Sequence, residues 1–137
     1  MSQPGEAGYG DFPLKQYLGM SLEGDEPGVA TADVVIGPEH LNPNGVVHGA
    51  VLFALVDTAM GKATMSQVHA TEEVPGRFCA SIEVSLRFVR PAVSGRIVAT
   101  ASVVKIGRHV AHLDARVVGD GDRLIATAAG TFALIDP

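Results

Sequence analysis

The chain lacks several features that would assign it to well-marked classes of protein. It has one cysteine in 137 residues, so an intramolecular disulfide and a metal site built on several thiolates are both excluded. Cationic side chains are few: ten Lys and Arg against fifteen Asp and Glu leave a net charge of -5. A domain-wide basic footprint for nucleic acid is therefore absent, although clustered arginines could still hold a small anion. No apolar run reaches the roughly 20 residues of a membrane span, because Lys62 interrupts the longest one. The opening residues lack the basic region and apolar stretch of a secretory signal. A cytoplasmic, reducing location is expected, with no membrane and no nucleic acid as partner. Internal repeats and low-complexity tracts are also missing.

What is present is core. Hydrophobic residues make up 47% and charged residues 18% of the chain, the balance of one folded domain with a substantial interior. Against that background one carboxylate stands out. Asp57 is the only charged residue between His48 and Lys62, in a segment whose apolar residues point in nearly every direction if it is helical. Such a helix is wrapped by protein on most sides, so Asp57 is expected to be at least partly buried. Removing an ionised carboxylate from water costs about several kcal/mol unless a partner or a raised pKa relieves it.

Residues 1–12 read as a loose arm and Pro13 to Met20 as a short helix; residues 1–28 together form an N-terminal arm preceding a domain at 29–137. Ser21 to Pro27 reads as a polar turn. Val29 to Ile36 is β-branched enough for a first strand, stopped by Gly37-Pro38. Glu39 to Val47 carries Pro43 and Asn44-Gly45 and should be a sharply bent loop. The central helix is expected from His48 or Gly49 to Gln67 or Val68, followed by a polar connection at Thr71 to Gly76. Phe78 to Val89 alternates, with Ile82, Val84, Leu86 and Phe88 on one face and Glu83, Ser85 and Arg87 on the other. Gly95 to Ile106, His109 to Val118 and Leu124 to Ile135 give three more strands joined by Gly-containing hairpin turns. The whole predicts an α+β domain in which an antiparallel sheet wraps one long helix.

Asn42, His48, Gly49 and Asp57 cluster in the loop and helix. A glycine at a helix start leaves a first-turn amide pointing outward at the positive end of the dipole, with no side chain to keep a carbonyl away. That arrangement is suited to an oxyanion. Asp57 lies eight residues further on, about 12 Å along an ideal helix, too far for both groups to serve one carbonyl within one subunit. If they act together they come from two subunits around a two-fold axis.

The run His40-Leu-Asn-Pro-Asn-Gly-Val-Val-His-Gly-Ala50 followed by Val56-Asp57 resembles the hotdog-fold acyl-CoA thioesterases of the phenylacetyl-CoA (PaaI-like) type, as do Phe88-Val-Arg-Pro-Ala92 and Gly107-Arg108. The resemblance departs at Ala50, where that family usually has a second glycine. It implies an acyl-CoA thioesterase with no cofactor, coenzyme A being part of the substrate. Asp57 would be the catalytic carboxylate, as general base or nucleophile, and Gly49 the oxyanion donor across a dimer. Asn42 would position the thioester or the water, His48 would fix the helix start, and Ser81 would help to hold the water. Arg90 and Arg108 would contact the phosphates, with Arg77 and Lys105 as further cations, and Phe53, Met60 and Phe78 would line the acyl group. The resemblance also implies that two dimers form a tetramer.

Each of these residues has a plainer reading. Asp57 alone fits an ion-paired structural acid, Asn42 a turn former, His48 a packed loop histidine and Ser81 an ordinary strand residue; it is the combination that points to hydrolysis. His109 and His112 point to opposite faces of a strand and do not make a metal pair. His40 and His69 read as surface residues, and Cys79 as a small strand residue. Two other functions suit the same fold: a non-catalytic acyl-CoA sensor, and a dehydratase acting on 3-hydroxyacyl thioesters.

Overall fold

Small side chains decide how this chain packs. In a computed structural model, residues 10–24, 26–71 and 74–137 are described. In chain order the elements are α1 (Pro13–Leu18), β1 (Ser21–Glu23), β2 (Val29–Val35), a 3₁₀ turn at Pro38–His40, α2 (Gly49–Thr71), β3 (Phe78–Phe88), β4 (Arg96–Ile106), β5 (Val110–Val118), a second 3₁₀ turn at Asp120–Asp122, and β6 (Leu124–Ile135). The strands form one antiparallel sheet in the order β1-β2-β4-β5-β6-β3. Its inner face carries Ala30, Ala32, Ala99, Ala101, Ala111, Ala115 and Ala126, all buried, so the sheet closes tightly on α2. Gly130 completes the fit, since a Cβ there would fall 2.5 Å from Sδ of Met60.

The helix is enclosed as its composition requires: twelve of its residues are buried, among them Leu55, Val56, Ala59, Met60 and Ala63. It runs to Thr71, one turn beyond the expected end. The sheet has a sixth strand, because Ser21–Glu23, expected as turn, pairs with Thr31–Asp33 of β2. The loose arm expected over residues 1–12 falls mostly outside the described residues, as does part of the connection after Thr71.

Two expectations are corrected. His40, expected at the surface, is 1% exposed, because the 3₁₀ turn after β2 tucks it beneath α1. Ile82, expected on one face with Val84, Leu86 and Phe88, is set apart from the half-buried Val84 and Leu86 and is 61% exposed. The register between β3 and β6 slips there, Ser81 opposing Phe132 and Glu83 opposing Thr131. Ile82 is the extra residue of a β-bulge, which resets the inward-outward alternation on either side of it.

Candidate active site

The loop before α2 is held from within. Asn42 Oδ1 accepts from the backbone N–H of Asn44 at 2.9 Å and of Val46 at 3.3 Å, and a bridge between Leu41 and Val47 closes the loop at its base. The turn-forming role of Asn42 is thus present in the structure. At the helix start the His48 carbonyl accepts from Val51 N–H at 2.9 Å, while His48 Nδ1 accepts from Ala50 N–H at 2.9 Å. His48 therefore caps α2 with its ring and satisfies one of the four amides that every helix N-terminus leaves open. The neighbouring Gly49 N–H has no acceptor among the described residues.

Gly49 faces a groove of about 420 Å³, lined also by Asn42, Leu52, Phe88, Arg90 and Pro91. A Cβ on Gly49 would lie 3.1 Å from Cζ of Phe88, so the absence of a side chain lets the ring rest close against the helix start. Phe88 is otherwise 60% exposed. Its packing on Gly49 is a feature that sequence reasoning did not assign. Arg90 donates to the Leu124 carbonyl at 3.3 Å and is otherwise exposed.

Asp57 sits two turns further along α2, half-buried. Its Oδ1 is buried with no hydrogen-bond partner among the described residues. Burial pushes its carboxyl above the ordinary value of 3.8, and the polar Ser81 hydroxyl beside it pulls it part of the way back. The bulge at Ile82 makes that contact possible. Without it, strict alternation from Val84 and Leu86 would turn Ser81 outward with Glu83. Cys79, two residues earlier on the same face, points its thiol at the Gly61 carbonyl of α2, 3.8 Å away.

The remaining expected residues lie elsewhere. Arg108 lines a second cavity of about 770 Å³ with Gln67, Val68 and Thr71 at the far end of α2, so one chain does not bring it together with Arg90. Arg77 lines the same cavity, with Nε 2.7 Å from Asp136 and its guanidinium donating to the Arg108 carbonyl. Lys105 is exposed opposite His112. Met60 is fully buried in the core, while Phe53 is 44% exposed and Phe78 half-buried. Among the described residues no group of three or more His, Cys, Asp and Glu side chains could hold a metal ion, and no helix is long and apolar enough to cross a membrane.

One chain therefore holds two separate groups of candidate residues. One pairs an outward amide with an apolar groove; the other pairs a half-buried carboxylate with a hydroxyl. An amide donor and a carboxylate are the kinds of group that acyl transfer to water uses, one for the developing oxyanion and the other as base or nucleophile.

The chain belongs to the thioesterase superfamily, whose sequence profile matches residues 44–126. It is 26% identical over 129 residues to acyl-coenzyme A thioesterase PaaI of Escherichia coli, covering 93% of this chain and 86% of that protein. It is 34% identical over 105 residues to a protein of Archaeoglobus fulgidus named provisionally as an esterase, covering 76% of this chain and 63% of that protein's length. Among solved structures, the Escherichia coli PaaI protein of the phenylacetic acid degradation operon superposes with a TM-score of 0.83 at 26% identity, over 94% of this chain and 88% of that one. A conserved protein of Pseudomonas aeruginosa matches with a TM-score of 0.83 at 28% identity, over 93% and 97% of the two chains. The fold is the hotdog fold of these thioesterases.

Proposed function

We propose that this protein is a cytoplasmic acyl-CoA thioesterase that hydrolyses an acyl-CoA to a free acid and coenzyme A, with no cofactor, in a site shared between two subunits. The observation that carries the reading is Asp57: a half-buried carboxylate with one oxygen unpartnered and the other group in reach, Ser81, able to hold it. On this reading Gly49 N–H of one subunit receives the thioester oxygen, and Asp57 of the other activates water or attacks the carbonyl carbon itself. As base, Asp57 takes the water proton and returns it to the departing thiolate. Asn42 borders the groove and helps to position the reacting group, while His48 keeps the first helical turn in place.

The edge strand supports the sharing. β3 is an outer strand of eleven residues with one side unpaired, a ready template for a second chain. Ser81 beside Asp57 and Phe88 beside Gly49 lie towards opposite ends of it. Antiparallel pairing of β3 with its copy, about a two-fold axis between Val84 and Ser85, brings the carboxylate of one subunit to the amide of the other. The same operation brings Arg90 of one subunit towards the Arg108 cavity of its neighbour, so both can face one coenzyme A. Association of two such dimers is the assembly we propose.

Incubating the protein with a panel of acyl-CoAs and following free acid and coenzyme A by mass spectrometry tests the activity and ranks the acyl groups. Asp57→Asn and Asp57→Ala should abolish turnover; release at the wild-type rate by either would sink the reading. Tight binding without product would favour an acyl-CoA sensor, and an enoyl product from 3-hydroxyacyl-CoA a dehydratase. If thiol is followed with a dye, Cys79→Ser serves as the control.

A further inference from the structure

His40 is a buried histidine with every polar atom in use. Its Nδ1 lies 2.9 Å from the backbone nitrogen of Gly37, which can only donate, so Nδ1 is the acceptor. The ring proton is then on Nε2, which donates to the Leu18 carbonyl at 2.8 Å. Glu39 Oε1, 3.6 Å from Nε2, is too distant to take over that bond. The main chain is committed as well: His40 N–H donates to the Gly37 carbonyl at 3.0 Å, and the His40 carbonyl accepts from His48 N–H at 2.8 Å.

These four bonds join three parts of the molecule. Gly37 closes β2. Leu18 is the last residue of α1, where the N–H groups of Gly19 and Met20 turn back to Gln16 and Lys15 and leave the Leu18 carbonyl for His40. His48 is the cap whose ring holds Ala50 N–H, next to the open amide of Gly49. None of the side chains of α1 is buried, and none lines the groove.

We propose that His40 is a positioning residue for the Gly49 amide, with α1 as its brace. The imidazole fixes the backbone on which His48 hangs, and His48 fixes the direction of the first turn of α2. This rests on the reading of Gly49 as oxyanion donor. Removing such a donor outright costs about 10²- to 10³-fold in kcat; displacing it should cost less. His40→Phe, which fills the same space without either ring bond, should lower kcat by about 10-fold or more, with KM within about twofold, since the contact matters most in the transition state. His40→Asn keeps an acceptor where Nδ1 lies, and His40→Gln keeps a donor where Nε2 lies. Each should recover part of the loss, and the acidic limb of the pH profile should stay in place because Asp57 is untouched.

A folded His40→Phe with wild-type kcat, or one in which only KM rises, overturns the proposal. If His40→Phe does not fold, wild-type kcat in both His40→Asn and His40→Gln overturns it equally. Asp57→Asn run alongside separates the two levels. Full turnover in that variant defeats the thioesterase reading itself, whereas a dead Asp57→Asn beside fully active His40 variants defeats only the positioning role.

Discussion

Replacing Asp57 by asparagine keeps the shape of the side chain and removes its charge, so it isolates what burial of that charge does to the fold. The carboxylate is half-buried, with Oδ1 out of reach of any donor among the described residues. A buried polar atom left unpaired costs about 1–3 kcal/mol. Because the group is partly open to solvent, and the asparagine amide is itself imperfectly paired there, the lower end applies, about 1 kcal/mol. At roughly 3–4 °C per kcal/mol for a domain of this size, Asp57→Asn should raise the melting temperature by about 3 °C at pH 8, the condition under which the wild-type group is ionised.

The pH dependence has a definite sign. Burial holds the native carboxyl above the ordinary 3.8, so the folded state binds this proton more tightly than the unfolded chain. A group of that kind contributes stability below its unfolded value and loses the contribution as pH rises through its native value. The advantage of asparagine should therefore be largest at pH 7–8 and shrink as the pH falls into the carboxylate range, where the wild-type side chain takes up its proton too. Thermal melts of both proteins across pH 4–8 measure it. An asparagine variant less stable than wild type at pH 8, or one whose advantage grows as pH falls, would refute the argument that Asp57 is held at a cost to the fold.

Three further outcomes follow from the same geometry. Ser81→Ala removes the hydroxyl that favours the ionised carboxylate, so the acidic limb of the kcat–pH profile should move to higher pH; an unmoved limb would separate Ser81 from Asp57. Ile82→Lys sets a charge on the open edge of β3, a device that blocks edge pairing. Sedimentation should show monomers and turnover should fall by at least about 10-fold, and an active monomer would contradict the shared site. Arg90→Ala and Arg108→Ala should each raise KM for acyl-CoA several-fold, at about 1 kcal/mol per lost charge contact, yet leave hydrolysis of a phosphate-free N-acetylcysteamine thioester unchanged. Equal losses on both substrates would remove the phosphates from the argument.

Which parts of this site could be read from the sequence follows from the range of the interactions that make it. The apolar run around Asp57 identified the central helix and the partial burial of its one acid, because helical periodicity is a local signal. Gly49 at the helix start was legible for the same reason, and the cap at His48 stands where the loop sequence put it. The three-residue β1 was missed because Ser21–Glu23 acquires its strand character only by pairing with β2. The burial of His40 is hidden for a similar reason: its ring bonds to a carbonyl 22 positions upstream. Nothing in Pro-Glu-His says so, although a histidine three residues after a strand-ending glycine is spaced to accept that glycine's amide.

The bulge in β3 is the most consequential feature that the sequence hides. Strict alternation along Ile82, Val84, Leu86 and Phe88 is a sound reading of a strand, and it turns Ser81 away from the helix. One extra residue reverses that assignment on one side of Ile82 only. Phe88 thereby remains on the inward phase beside Gly49, and Ser81 joins the same face beside Asp57. A regular strand could place Ser81 near Asp57 or Phe88 near Gly49 on its inner face, not both. The slipped register lets a single edge strand carry both on its inner face while exposing Ile82 at the edge, where a second copy of β3 would meet it.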